Sequence, residues 1–142
     1  MGYDLMNYKG GDFRFTAWAW SPVLGLAELY GWEPMGTVMT EGSYAWCGAK
    51  DTDTVEVQES IKSWDGSYNY NCYQIVVEED ALNLAHALMN AVKELPDEKS
   101  YVVDDDSIHT REWLINNFSG LEDKKGLEKF IQFCKDGAFL IG

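Results

Sequence analysis

Two groups of residues have the types and spacing to do chemistry. The first is Asp104, Asp105 and Asp106 with His109, three carboxylates and an imidazole within six residues. Such a set could hold a hard cation or exchange protons, because carboxylate oxygens suit hard metals and imidazole titrates near neutrality. Ligands for one ion must converge, however, and consecutive aspartates in a strand or loop point in different directions. The run therefore reads as solvated charge that also caps a helix near Ser107, and as an acidic surface open to a partner. The second group is aromatic: Trp18, Trp20, Tyr44 and Trp46, with Trp64 further on and Arg14 as the nearby cation. Flat rings beside a guanidinium can stack a planar ligand and pair its phosphate or carboxylate, or anchor a protein interface.

Burial competes with both uses of the aromatic group. One tryptophan covers ~150 to 250 Å², an upper figure of about 4 to 6 kcal/mol at ~25 cal/mol/Å². The default expectation is that Trp18 and Trp20 lock the first elements together, with their indole N–H groups on buried acceptors.

Other chemistry is thin. His86 falls at the edge of a helical stripe, where a histidine is ordinarily a packing or surface residue. Cys47, Cys72 and Cys134 stand in no metal-ligand or redox spacing, and their odd number argues against a disulfide framework. No GxSxG and no glycine-rich phosphate loop is present. No catalytic residue, metal ligand or cofactor is assigned.

Positioning these residues falls to a chain of 142 residues, enough for one domain with its own core. "YDLMNY" and "DFRFTAWAW" flank Gly10-Gly11, which predicts a hairpin with a two-residue turn, pairing Tyr8 with Phe13, Met6 with Phe15 and Tyr3 with Trp18. Alternation then sets Trp18 and Trp20 on one face and Phe13 and Phe15 on the other. Ser21-Pro22 reads as a cap and first-turn proline opening a helix to about Tyr30, with Gly31 ending it. Residues 31–52 show no helical period and read as irregular with one short strand. "TVEVQ" alternates weakly, "SWDGSYN" is turn-like, and 70–77 is a strand candidate.

The clearest helix spans 79–95, where Ala81, Leu82, Ala85, Leu88, Met89, Val92 and Leu95 form one stripe before Pro96. Further helices are expected over 107–118 and from about Asp123, the latter carrying Leu127, Phe130, Ile131 and Cys134 and capped by Gly137. "AFLIG" closes the chain as a short strand. The expected fold is a single α+β domain over 1–142: an N-terminal β-hairpin and a small, mainly antiparallel sheet packed against three to four helices.

Net charge is −13, from 24 acidic and 11 basic residues. Phosphate backbones are repelled by that field, so direct nucleic-acid binding is not expected, whereas basic partners are attracted. No basic leader followed by an apolar run opens the chain, and no stretch has the ~18 apolar residues of a membrane helix. A cytoplasmic protein with no membrane partner is expected.

The residues "FRFTAWAWSP" resemble a motif of small uncharacterised phage and bacterial proteins, "FRxNxWWWRPL", which follows a start like "MGMDVYG" in that family. Phe13, Arg14, Trp18, Trp20 and Pro22 fall on matching positions. "VVEEDALNLAHALMNAV" is similar to the family's central helix, and "FIQFCKDGAFLIG" to its closing "GGFxI" segment. Residues 31–70 are unmatched, and Phe15, Thr16, Ala19, Ser21 and Ala138 depart from the pattern. The resemblance implies a phage or mobile-element setting and a host-directed role; it implies no reaction.

The function expected is that of a non-enzymatic acidic binding protein that occupies a host protein, one of basic or nucleic-acid-binding chemistry, including a defence factor. The alternatives are a small-molecule or nucleotide site built on Arg14, Trp18, Trp20, Tyr44 and Trp46, and an enzyme using 104–109. Oligomeric state is left open.

Overall fold

The computed structural model describes residues 2–46, 51, 53–100 and 110–142. Its elements follow the order β1 (Gly2–Asn7), β2 (Asp12–Thr16), α1 (Ala17–Leu29), α2 (Glu41–Trp46), α3 (Val55–Lys62), β3 (Gln74–Val76), α4 (Glu78–Glu94), α5 (Arg111–Phe118), α6 (Leu121–Lys135) and β4 (Phe139–Ile141). All four strands pair antiparallel in the order β2-β1-β4-β3. The α+β class, N-terminal hairpin and antiparallel sheet are as expected. Six helices, rather than three to four, occur among the described residues.

Direct pairing places Tyr3 opposite Phe15 and Leu5 opposite Phe13. Leu5 also pairs with Ile141, and Ile141 with Gln74. One sheet face is consequently mainly apolar, with Leu5, Val76, Phe139 and Ile141 on it fully buried and the buried polar side chains of Asn7 and Gln74 set among them. Helices α1 and α6 pack against the hairpin, while α4 packs on both α1 and α6. The opposite face carries Asp4, Asp12, Arg14 and Thr16 on the hairpin and stays polar there.

The hairpin register differs from the one expected. Its loop is Tyr8-Lys9-Gly10, closed by the Asn7 N–H donating to the Gly11 carbonyl at 3.0 Å. Gly10 alone takes positive φ, +83°, as a three-residue loop with a bulge requires. The Asn7 side-chain oxygen accepts from Lys9 N at 3.0 Å and Gly11 N at 2.7 Å, which stabilises this loop over a two-residue Gly-Gly turn. Tyr3 therefore meets Phe15, not Trp18, and Met6 meets Asp12, not Phe15.

Helix α1 begins four residues before the expected cap at Ser21. The Thr16 hydroxyl accepts from Ala19 N at 3.2 Å and ends the strand there. Ala17 and Ala19 favour the helix, and Pro22 lies inside it, buried, with no N–H to offer the Trp18 carbonyl.

Two further helices occupy sequence read as irregular or weakly alternating. Thr54 caps α3 through Val57 N at 3.3 Å, and Gln58 Nε2 donates to Glu41 at 2.7 Å, tying α3 to α2. The strand expected over 70–77 shortens to β3 because Tyr73 has φ +60°. The buried Gln74 amide donates to the Tyr70 and Ser67 carbonyls, holding the preceding residues as a turn. Helices α4 and α6 and strand β4 lie within two residues of their expected bounds. No helix among the described residues is long and apolar enough to cross a membrane.

Candidate functional site

Successive helical residues turn by about 100°, so residues two apart point about 200° apart. Starting α1 at Ala17 thus sends Trp18 and Trp20 in opposite directions. Trp20 is fully buried, whereas Trp18 is 90% exposed. The Trp20 ring lies over the hairpin, 5.3 Å from Phe15 and 5.9 Å from Tyr3 between centroids, and its Nε1–H donates to the Tyr68 carbonyl at 2.7 Å. The locking role expected of both indoles belongs to Trp20 alone.

The aromatic and cationic residues read as one group do not converge. Arg14 lies on the polar sheet face, where its guanidinium pairs with Asp4 at 2.7 Å. A shallow hollow there is lined by Asp4, Met6, Asp12 and Arg14 and contains no tryptophan. Tyr44 lies half-buried on α2, and Trp46 ends that helix with its side chain outside the described residues. The Trp18/Trp20/Arg14 pocket is therefore not assembled: one ring is inside, one outside, and the cation is on another face. Asp104, Asp105, Asp106 and His109 also lie outside the described residues.

A polar cluster that sequence reasoning missed sits under the 31–37 segment. Asp80, in the first turn of α4, is fully buried. Its Oδ1 accepts from Trp32 Nε1 at 2.9 Å, and its Oδ2 accepts from the Tyr68 hydroxyl. That hydroxyl in turn accepts from Gly36 N at 2.9 Å. Burial raises the Tyr68 phenol well above its ordinary value, and the bond to the Asp80 carboxylate adds to the rise. Cys134 is buried as well, and its thiol is pushed up by desolvation and then by Asp80. Both carboxylate oxygens are committed to donors, so the cluster is a closed joint that holds α4, the 31–37 segment and Tyr68 together. The available signal was an aspartate at the head of the stripe that continues through Leu84, Ala87 and Ala91, all buried.

His86 is exposed on α4, beside a hollow of about 410 Å³ lined by Tyr30, Glu33, Met35, Glu79 and Asn83. Partial burial raises the Tyr30 phenol, and Glu94 raises it further. Among the described residues, no three histidine, cysteine or acidic side chains are grouped to hold a metal.

Trp18 borders a groove of about 690 Å³ between α1 and the α5–α6 corner. Trp18, Ala19 and Pro22 form one wall, Trp113 and Phe118 the other. Lys99 and Asp123, paired at 2.8 Å, complete the lining with Thr16 and Asn117. Lys99 also donates to the Asn116 and Asn117 carbonyls, so its charge is taken up within the protein.

Charge is distributed unevenly. Residues 15–92 hold eleven acidic side chains against two basic ones, Lys50 and Lys62. The ion pairs among the described residues are Arg14–Asp4, Lys99–Asp123, Lys124–Asp97 and Lys125–Glu122, and none involves a residue of that stretch. Among the described residues, its surface carboxylates enter no ion pair.

Comparison of the chain with protein-family models, curated proteins and solved structures gives no match.

Proposed function

We propose that this protein is a non-enzymatic acidic binding protein that engages a basic host protein. The observation that carries the reading is the acid of residues 15–92: ten exposed carboxylates, with Asp80 buried apart from them, against Lys50 and Lys62 in the sequence, and no ion pair of that stretch among the described residues. Intramolecular pairing would dissipate such a field; left open, it steers and holds a partner of opposite charge. The resemblance of the tryptophan motif to phage-encoded proteins makes a host protein, including a defence factor, the expected partner. The nucleotide-site alternative loses support because Arg14, Trp18 and Trp20 occupy separate environments.

Affinity capture from host lysate tests the reading when wild-type protein is compared with a variant carrying Glu33→Gln, Glu56→Gln, Glu59→Gln and Glu79→Gln. All four side chains are exposed. The expected result is retention of one or more basic proteins at low salt, release by high salt, and loss of retention by the variant. Identical retention by the two baits rules the reading out.

A further inference from the structure

We infer that the groove beside Trp18 receives an arginine side chain of the basic partner; this rests on the acidic-binding reading and locates its anchor. Three features specify the occupant. Trp18 projects into water at 90% exposure from a helix whose other tryptophan is fully buried, so the fold derives no packing from its ring. Across the groove, the half-buried Trp113 adds aromatic surface above the buried Phe118, giving a slot suited to a flat, weakly hydrated cation with an apolar stem. Lys99, the groove's only cation among the described residues, is held by Asp123 and by two backbone carbonyls, which offset its charge toward a guanidinium.

Charge excludes the nearest competitors. An anionic ligand would meet a chain of net charge −13, and among the described residues the groove's one cation, Lys99, is already paired with Asp123. A second copy would bring another −13 against the first, which opposes a Trp18-to-Trp18 contact. A partner complementary to the molecule is basic. Of the two basic side chains, arginine stacks on indole, whereas lysine's hydrated ammonium does so less well.

The test is binding of blocked tetra-arginine, tetra-lysine and tetra-leucine peptides to the full chain, followed by tryptophan fluorescence and calorimetry at fixed salt. Tetra-arginine is expected to bind more tightly than tetra-lysine and to change the tryptophan emission. Trp18→Ala is expected to weaken tetra-arginine by about tenfold or more while leaving tetra-lysine little changed. Circular dichroism checks that this surface variant keeps the fold, and Trp18→Phe should retain most of the arginine preference. Equal binding of both basic peptides, unaffected by Trp18→Ala, overturns the groove assignment and leaves the acidic-binding reading standing. Failure of both basic peptides to bind overturns the two together. Tight tetra-leucine binding lost in Trp18→Ala, or a Trp18-dependent dimer in sedimentation, replaces arginine with an apolar segment or a second copy.

Discussion

The indole Nε1–H of Trp32 donates to Asp80 Oδ1 at 2.9 Å, a neutral donor and a carboxylate that are both sequestered from water. The bond crosses from the segment after α1 to the first turn of α4. With Tyr68 on the other carboxylate oxygen, it joins three stretches of chain that are distant in sequence.

Asp80→Ala should therefore be among the most damaging single substitutions. It strips the acceptor from the Trp32 N–H and the Tyr68 hydroxyl, and buried donors left unpaired cost about 1–3 kcal/mol each. A loss of about 3 kcal/mol or more is expected in urea unfolding. Asp80→Asn keeps one acceptor oxygen and should lose less. An alanine variant as stable as wild type would remove the joint from the account of this fold.

Trp18 and Trp20 should respond oppositely to truncation. Trp20→Ala empties a buried site ringed by Tyr3, Phe15 and Phe130 and frees the Tyr68 carbonyl, with an expected loss of about 3–5 kcal/mol. Trp18→Ala should stay within about 0.5 kcal/mol of wild type, as surface changes do. Paired thermal melts decide the matter, and equal losses would contradict the assignment of the two indoles to opposite sides of α1.

Alkaline pH should destabilise the protein. The Cys134 thiol is raised above its ordinary 9.0 and the Tyr68 phenol above its ordinary 10.0 in the fold. Once pH passes those unfolded-state values, the unfolded chain releases protons that the native protein keeps, so stability falls as pH rises. Melting temperatures should be level up to about pH 9 and decline beyond it, more steeply above pH 10. Cys134→Ala should shift the onset toward pH 10, and a flat profile through pH 11 would refute the link.

The hairpin turn should depend on Asn7 more than on Gly10. Asn7→Ala removes the acceptor of Lys9 N and Gly11 N and the contact to Asp136, for an expected loss of about 1–2 kcal/mol. Gly10→Ala forces a side chain into φ +83° and should cost about 1 kcal/mol. Chemical denaturation of both variants checks the loop; tolerance of Asn7→Ala would contradict the three-residue loop, and tolerance of Gly10→Ala would contradict any turn that needs positive φ there.

What was legible locally was the amphipathic scaffold. The stripe from Ala81 to Leu95 and the spacing of Leu127, Phe130, Ile131 and Cys134 can bury their apolar side chains in only one secondary structure, so α4 and α6 could be read directly. The α3 segment was harder, because the spacing of Val55 and Val57 fits a strand as well as a helix until Thr54 is seen capping Val57.

Sequence alone determined the α+β class, the two long helices, the terminal strands and a net charge of −13. Those properties are set by residues near one another in the chain or by simple summation. Tertiary structure decided where the aromatic and acidic residues stand. A spacing of two puts tryptophans together on a strand and apart on a helix, and a cap at Thr16 instead of Ser21 chose the helix. The burial of Asp80 likewise required Trp32 and Tyr68 to arrive from 48 and 12 residues away. Such long-range donors leave no periodic trace, because their spacing is set by the folded path of the chain.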